Sequence, residues 1–180
     1  PVAYAQTLAG LKPGTTYYYC AIAKNPLRTS FGAVLSLTTK AGAPQVTTTP
    51  PTDVVSDGAV LSGTVVPAGA ATTGWFRYST INPESCNDSF GARAPASEGQ
   101  ELGAGVVAVS FSVALSGLVP GTTYYYCAIA TNQQGTTYGE LLSVVPGTGA
   151  PSVATEGSTD LTGDTATIVG TVEENGSAAT

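Results

Sequence analysis

The chain has no histidine and no methionine, one tryptophan, and only 6 lysine and arginine residues in 180. Without histidine the usual proton shuttle near neutral pH is absent, and Ser-His-Asp and Cys-His nucleophiles are excluded within these residues. The few cations and the net charge of -6 leave no basic patch to follow a phosphate backbone, so nucleic acid is not an expected partner. No apolar run approaches the ~18 residues of a membrane helix, so this segment is not expected to insert into a bilayer. No basic-then-apolar leader opens the chain at Pro1. It is therefore expected to begin inside a longer protein, with any signal peptide or anchor outside the segment. No phosphate loop is present, and Gly103–Val107 lacks the spacing of a dinucleotide site. Glu98 and Glu101 offer a carboxylate pair in principle, but they stand in a Gly-rich loop with no sign of a cleft. No cofactor is implied, and no enzyme.

What is abundant is equally one-sided. Glycine and proline number 22 and 12, and serine with threonine 42, while charged residues are 10% of the chain. Hydroxyls, amides and backbone must therefore cover most of the surface, a composition typical of secreted or cell-surface modules rather than cytoplasmic enzymes.

A repeat organises the whole sequence. "GLKPGTTYYYCAIAKN" from Gly10 returns as "GLVPGTTYYYCAIATN" from Gly117, an offset of 107. The same offset relates "GAPQV" at Gly42–Val46 to "GAPSV" at Gly149–Val153, and "LSGTV" at Leu61–Val65 to "IVGTV" at Ile168–Val172. One unit is then complete, residues 43–147. Residues 1–40 are expected to be the rear of a preceding unit, and residues 150–180 the front of a following one. The joints "KAGAP" and "GTGAP" are short and rich in Gly and Pro, as between like domains. A window onto a longer tandem array fits this pattern. A filament subunit completed by its neighbours is the alternative, but the counterpart of Gly74–Val107 is missing from both ends.

Period 2 dominates the apolar pattern. Tyr124, Tyr126, Ala128 and Ala130 fall on one face, and Tyr125, Cys127 and Ile129 on the other. Ala59–Val66, Trp75–Ser79, Val106–Leu115 and Tyr138–Val145 also read as strands, with Pro44–Thr49 as a first one. No segment holds a 3.6-residue period over ten residues or so. Six or seven short strands in about 105 residues predict an all-β two-sheet sandwich. An open barrel has the same period.

Leu115–Gly139, "LSGLVPGTTYYYCAIATNQQGTTYG", resembles the rear half of a fibronectin type III domain. Leu118, Pro120, Gly121, Thr122 and Tyr124 match that family's turn before its sixth strand, and Leu11, Pro13, Gly14, Thr15 and Tyr17 repeat the match. The resemblance implies a tyrosine corner, in which Tyr124, and Tyr17 in the earlier copy, bonds back to the turn's backbone. The front half departs from the family: Leu61 or Gly63 stands where its second strand usually carries Trp, and the insertion Asn82–Gly105 is long. An immunoglobulin-like fold of another family remains open. The fold expected is thus fibronectin type III/immunoglobulin-like β-sandwich repeats, each with an internal disulfide.

Cysteines carry the disulfide reading. The complete unit holds Cys86 and Cys127, and Cys20 is the counterpart of Cys127. The counterpart of Cys86 would precede Pro1, leaving Cys20 unpaired within the segment. A Cys86–Cys127 bond would pin the insertion to the outward face of the sixth strand and contribute roughly 4 kcal/mol through loop closure. It also implies an oxidising compartment. Two separate buried thiols are the alternative. A metal site is disfavoured, since two Cys without His are too few ligands.

Other residues invite weaker readings. Trp75, Arg77 and Tyr125 share the outward sheet face and could present an aromatic patch to a glycan or a neighbouring chain. Equally, they shield the disulfide. In "SCNDSFGARAP", Phe90 is read as a plug, Gly91 as a turn, and Arg93 as a partner of Asp88 or of an aromatic ring. Asp53 and Asp57, repeated as Asp160 and Asp164, are weak Ca²⁺ candidates near the joints, or else turn formers. Asn87-Asp88-Ser89 and Asn175-Gly176-Ser177 match the N-glycosylation pattern.

Two functions compete. One is a non-catalytic structural or adhesive extracellular protein, its partners neighbouring repeats or copies of itself, assembling into surface fibres. The other is a spacer or carbohydrate-binding module of a larger secreted enzyme.

Overall fold

The computed structural model describes residues 2–147 and 152–173. It is all-β among those residues, with fifteen strands in five small sheets and one disulfide. The strands are β1 (Thr16–Tyr19), β2 (Ile22–Lys24), β3 (Thr29–Phe31), β4 (Leu35–Thr38), β5 (Gln45–Val55), β6 (Gly58–Val66), β7 (Thr73–Ser79) and β8 (Ala92–Ala94). They continue with β9 (Gln100–Glu101), β10 (Val109–Leu115), β11 (Tyr124–Asn132), β12 (Gly135–Tyr138), β13 (Leu142–Val144), β14 (Ser152–Thr159) and β15 (Thr167–Glu173).

Two sheets enclose the core. One has the order β10-β6-β5, and the other β12-β11-β7-β8, with β13 also on β11 and β9 on β7. Between them lie Leu61 and Val65 of β6, Phe111 of β10, Phe76 of β7, and Tyr124, Tyr126, Ala128 and Ala130 of β11. The Phe76 and Phe111 rings meet across the gap at 4.8 Å between centroids. Small Ala128 and Ala130 beside large Tyr126 let the layers interdigitate, as close packing requires. Tyr126 is fully buried, and its hydroxyl donates to the Thr49 carbonyl at 2.9 Å.

Several strand boundaries differ from the sequence expectation; β10 begins at Val109 rather than Val106, and β7 at Thr73 rather than Trp75. The stretch Tyr138–Val145 is two strands rather than one: β12 ends at Tyr138 and β13 starts at Leu142. At the break the Gly139 N–H donates to the Ala128 carbonyl at 2.8 Å, and the Thr48 hydroxyl from the facing sheet accepts the Ala128 N–H at 3.0 Å. Thr48 thus supplies the bond that a continuous ladder would have made. The first strand runs on to Val55, but its register slips between Thr49 and Thr52, where Pro50 and Pro51 have no N–H to donate. The insertion also holds two short strands, β8 and β9, both paired to β7.

Strand registers recur at the offset of 107. In β1·β4, Tyr17 faces Leu37; in β11·β13, Tyr124 faces Val144. Ile22 faces Phe31 as Ile129 faces Tyr138. Val46 faces Val65 as Val153 faces Val172. The surroundings differ. Tyr19 is 46% exposed, whereas its counterpart Tyr126 has the β10-β6-β5 sheet over it.

Candidate functional site

The outward face of β7 and β11 is where chemistry-bearing side chains gather. β11 alternates, so Cys127 and Ile129 point away from the main core while Tyr126 and Ala128 point into it. Opposite them in the ladder stand Arg77 and Trp75 of β7, Cys127 facing Arg77 and Ile129 facing Trp75. This face would be wet, but the segment after β7 folds back over it. Cys86 is bonded to Cys127 with a Cα–Cα distance of 5.9 Å and a separation of 41 residues. Around the bond Trp75, Ile129 and Cys127 are buried, with Cys86, Phe90 and Leu141 packed against them as a second, smaller core.

Polar groups complete the cover. Asp88 accepts two hydrogen bonds on one oxygen, from the Trp75 indole N–H at 2.8 Å and from Arg77 Nε at 2.9 Å. Arg77 also donates through Nη1 to the Gly91 carbonyl at 3.3 Å. Arg93 of β8 lays its guanidinium over the Trp75 ring, 4.5 Å from the centroid. Gly91, at φ 52°, turns the chain so close to Tyr78 that a Cβ there would strike the Tyr78 carbonyl. Of the two partners expected for Arg93, the aromatic ring is the one it takes, while Asp88 pairs with Arg77.

The surface-patch reading of Trp75 is corrected by this geometry. Trp75 is only 6% exposed, beneath Asp88 and Arg93. Arg77 is tied to Asp88, and Tyr125 is half-buried between Ser79 and Ser143 in the ladder. No open aromatic platform remains there. Sequence reading offered an aromatic ring to Arg93 without identifying it as Trp75. The signal was present in the single Trp and the few cations, but the pairing depends on β8 reaching β7.

The remaining candidates lie elsewhere. The Tyr124 hydroxyl accepts the Val119 N–H at 3.0 Å, and the Tyr17 hydroxyl accepts the Lys12 N–H at 2.9 Å. Cys20 is an exposed free thiol. It lines a concavity of about 650 Å³ with Tyr4, Leu8, Leu11, Tyr19 and Leu37. Asp53 and Asp160 hold φ of 47° and 49°, the left-handed conformation of turn residues. The Asp164 carboxylate accepts from the Thr162 hydroxyl at 3.0 Å. Among the described residues no group of three or more Cys, Asp or Glu side chains is placed to hold a metal ion, so Asp53, Asp57, Asp160 and Asp164 are not assembled into one. Asn87 directs its side-chain oxygen to the Ser89 N–H at 2.9 Å, and Asn175 lies outside the described residues. No helix among the described residues is long and apolar enough to cross a membrane.

No protein-family model and no curated protein matches the chain. Solved structures do match at low similarity. The shorter form of the sensor domain of the anti-sigma factor RsgI4 in Pseudobacteroides cellulosolvens is 17% identical, with a TM-score of 0.41, covering 57% of this chain and 93% of that one. The first to third fibronectin domains of chicken CNTN1 are 21% identical, with a TM-score of 0.35, covering 79% of this chain and 46% of that one. At these values, what those proteins sense or bind does not transfer to this chain.

Proposed function

We propose that this is a non-catalytic structural or adhesive segment of an extracellular protein, built from tandem fibronectin type III/immunoglobulin-like sandwiches. One observation carries the reading: the same strand registers recur at an offset of 107 on both sides of the 43–147 unit. A chain that repeats one architecture, and spends its single Trp and two of its few arginines on sealing a sheet face, is organised for shape rather than for turnover. The disulfide supports an oxidising compartment. The low charge permits close lateral packing of neighbouring copies, and the sheet edges are the natural contacts. A glycan-gripping module would need an exposed aromatic platform, which the burial of Trp75 removes from the outward face of β7 and β11. Electron microscopy and sedimentation of the 180-residue chain over a wide concentration range test the assembly part. Strings or fibres that grow with concentration are expected. Isolated, non-interacting beads at every concentration would sink it.

A further inference from the structure

The turn before β1 and the loop after β6 meet glycine against glycine. A Cβ on Gly14 would strike the Gly69 Cα, and a Cβ on Gly69 would strike the Gly14 Cα. Both glycines hold positive φ, 62° and 90°, so their lack of a side chain serves conformation and contact together. Beside them Pro13 abuts Gly42, where an added Cβ would come within 3.0 Å of the Pro13 ring.

The connecting residues are held from both sides. On one side the Gly14 N–H donates to the Lys40 carbonyl at 2.9 Å. On the other the Gly42 N–H donates to the Ala68 carbonyl at 2.9 Å. Asn132 closes the arrangement, its amide donating to the Gly42 carbonyl at 2.9 Å and to the Pro67 carbonyl at 3.1 Å. The Gln134 N–H in turn donates to the Asn132 side-chain oxygen at 2.8 Å, which sets the orientation of the amide. A freely jointed linker would leave these backbone groups to water. Here Lys40 is bonded to the preceding stretch and Gly42, two residues on, to the following one. Pro67 and Ala68 are buried, so the loop that receives the turn is itself firmly seated.

We propose that the Lys12–Gly14 turn and the Pro67–Gly69 loop form a docking surface between successive units that fixes their relative orientation. The proposal rests on reading the chain as tandem units. Its chemistry is backbone against backbone, so it needs little side-chain specificity and suits reuse along an array. The sequence keeps the parts at the next junction. Pro120-Gly121 repeat Pro13-Gly14, with Gly121 again at positive φ, 71°. Asn175-Gly176 stand in sequence where Ala68-Gly69 stand. Ala68 holds φ 60°, a conformation that Asn adopts more readily than other non-glycine residues.

Residual dipolar couplings on the weakly aligned 180-residue chain test the joint. One alignment tensor is expected to fit the backbone amides of β1–β4 and β5–β13 together. Gly14→Val is expected to require two tensors, with the β1–β4 couplings reduced at least threefold. Gly10→Val is the control, because Gly10 also has positive φ, 72°, but nothing within 4 Å of an added Cβ; it should keep one tensor. Two tensors in the unaltered chain, or one in Gly14→Val, would overturn the joint while leaving the tandem structural reading standing. If Gly14→Val melts β1 and β4, Asn132→Ala decides instead, since Asn132 bonds to the Gly42 carbonyl and to neither Gly14 nor Gly69. Hydrogen exchange at the Gly42 amide should then rise about tenfold with the β11 amide shifts retained, and unchanged exchange would overturn the joint.

Discussion

At the scale of single residues, Tyr126 is the most heavily committed side chain. Burial raises its phenol to a pKa of about 12 from an ordinary 10.0. The folded state therefore holds its proton where an unfolded tyrosine has begun to lose it. The resulting stabilisation is fully present below pH 10 and is lost as pH rises through about 12. Its full size is on the order of 3 kcal/mol. Urea unfolding between pH 8 and 12 should show this loss in a Cys20→Ser background, which removes the free thiol. Tyr126→Phe should flatten that part of the profile while costing about 1 kcal/mol at pH 8 for the bond to Thr49. A profile equally steep in both proteins would assign the alkaline loss to other groups. Thr48 makes a comparable case without ionisation. Thr48→Val keeps the shape but leaves the buried Ala128 N–H without its acceptor, so a loss of about 1–3 kcal/mol in the same urea assay is expected. A change near zero would mean that the break between β12 and β13 can close its own ladder.

At the scale of elements, the strand faces were legible because they depend only on period. Tyr124, Tyr126, Ala128 and Ala130 alternate with Tyr125, Cys127 and Ile129, and the structure puts the first set in the main core. What the period could not reveal is that Cys127 and Ile129 of the second set are buried as well, with Tyr125 half-buried beside them. That burial depends on a segment far along the chain, residues 82–94, folding back over β7. Its polar contacts, Asp88 to Trp75 and Arg93 over the ring, follow no local rule. Cysteine spacing pointed to the cover, because a bond between Cys86 and Cys127 must bring that segment onto β11. The split between β12 and β13 was likewise hidden, since its cause is a Thr on the opposite sheet. The cover makes a direct prediction. Reducing Cys86–Cys127 should lower stability by roughly 4 kcal/mol in urea unfolding. Below the unfolding transition it should also shift the emission of Trp75, the only Trp, towards the red as the segment loosens. Unchanged emission with unchanged stability would show that Asp88, Arg93 and Phe90 hold the cover without the bond.

At the scale of the whole molecule, the disulfide and the linker bear on the same property, the length of the chain under load. Pulled from its two ends, an intact sandwich transmits force through β5 and onward to β13, while the 40 residues between Cys86 and Cys127, a sequence separation of 41, are bypassed by the covalent bond. Those residues cannot add to the extended length until the bond is broken. At about 3.5 Å per extended residue, they store roughly 140 Å once the short span across the bond is subtracted. Single-molecule pulling on the 180-residue chain should therefore give an unfolding step for the 43–147 unit that lengthens by roughly 140 Å in the Cys86→Ser, Cys127→Ser double variant. The force peak should also fall, because the variant has lost the stabilisation expected from the closed loop. Equal steps in the two proteins would mean that the bond does not limit extension, and a mechanical role for the disulfide would fail with it. A longer step at unchanged force would separate the two effects: the bond would limit how far the unit extends without setting how hard it resists.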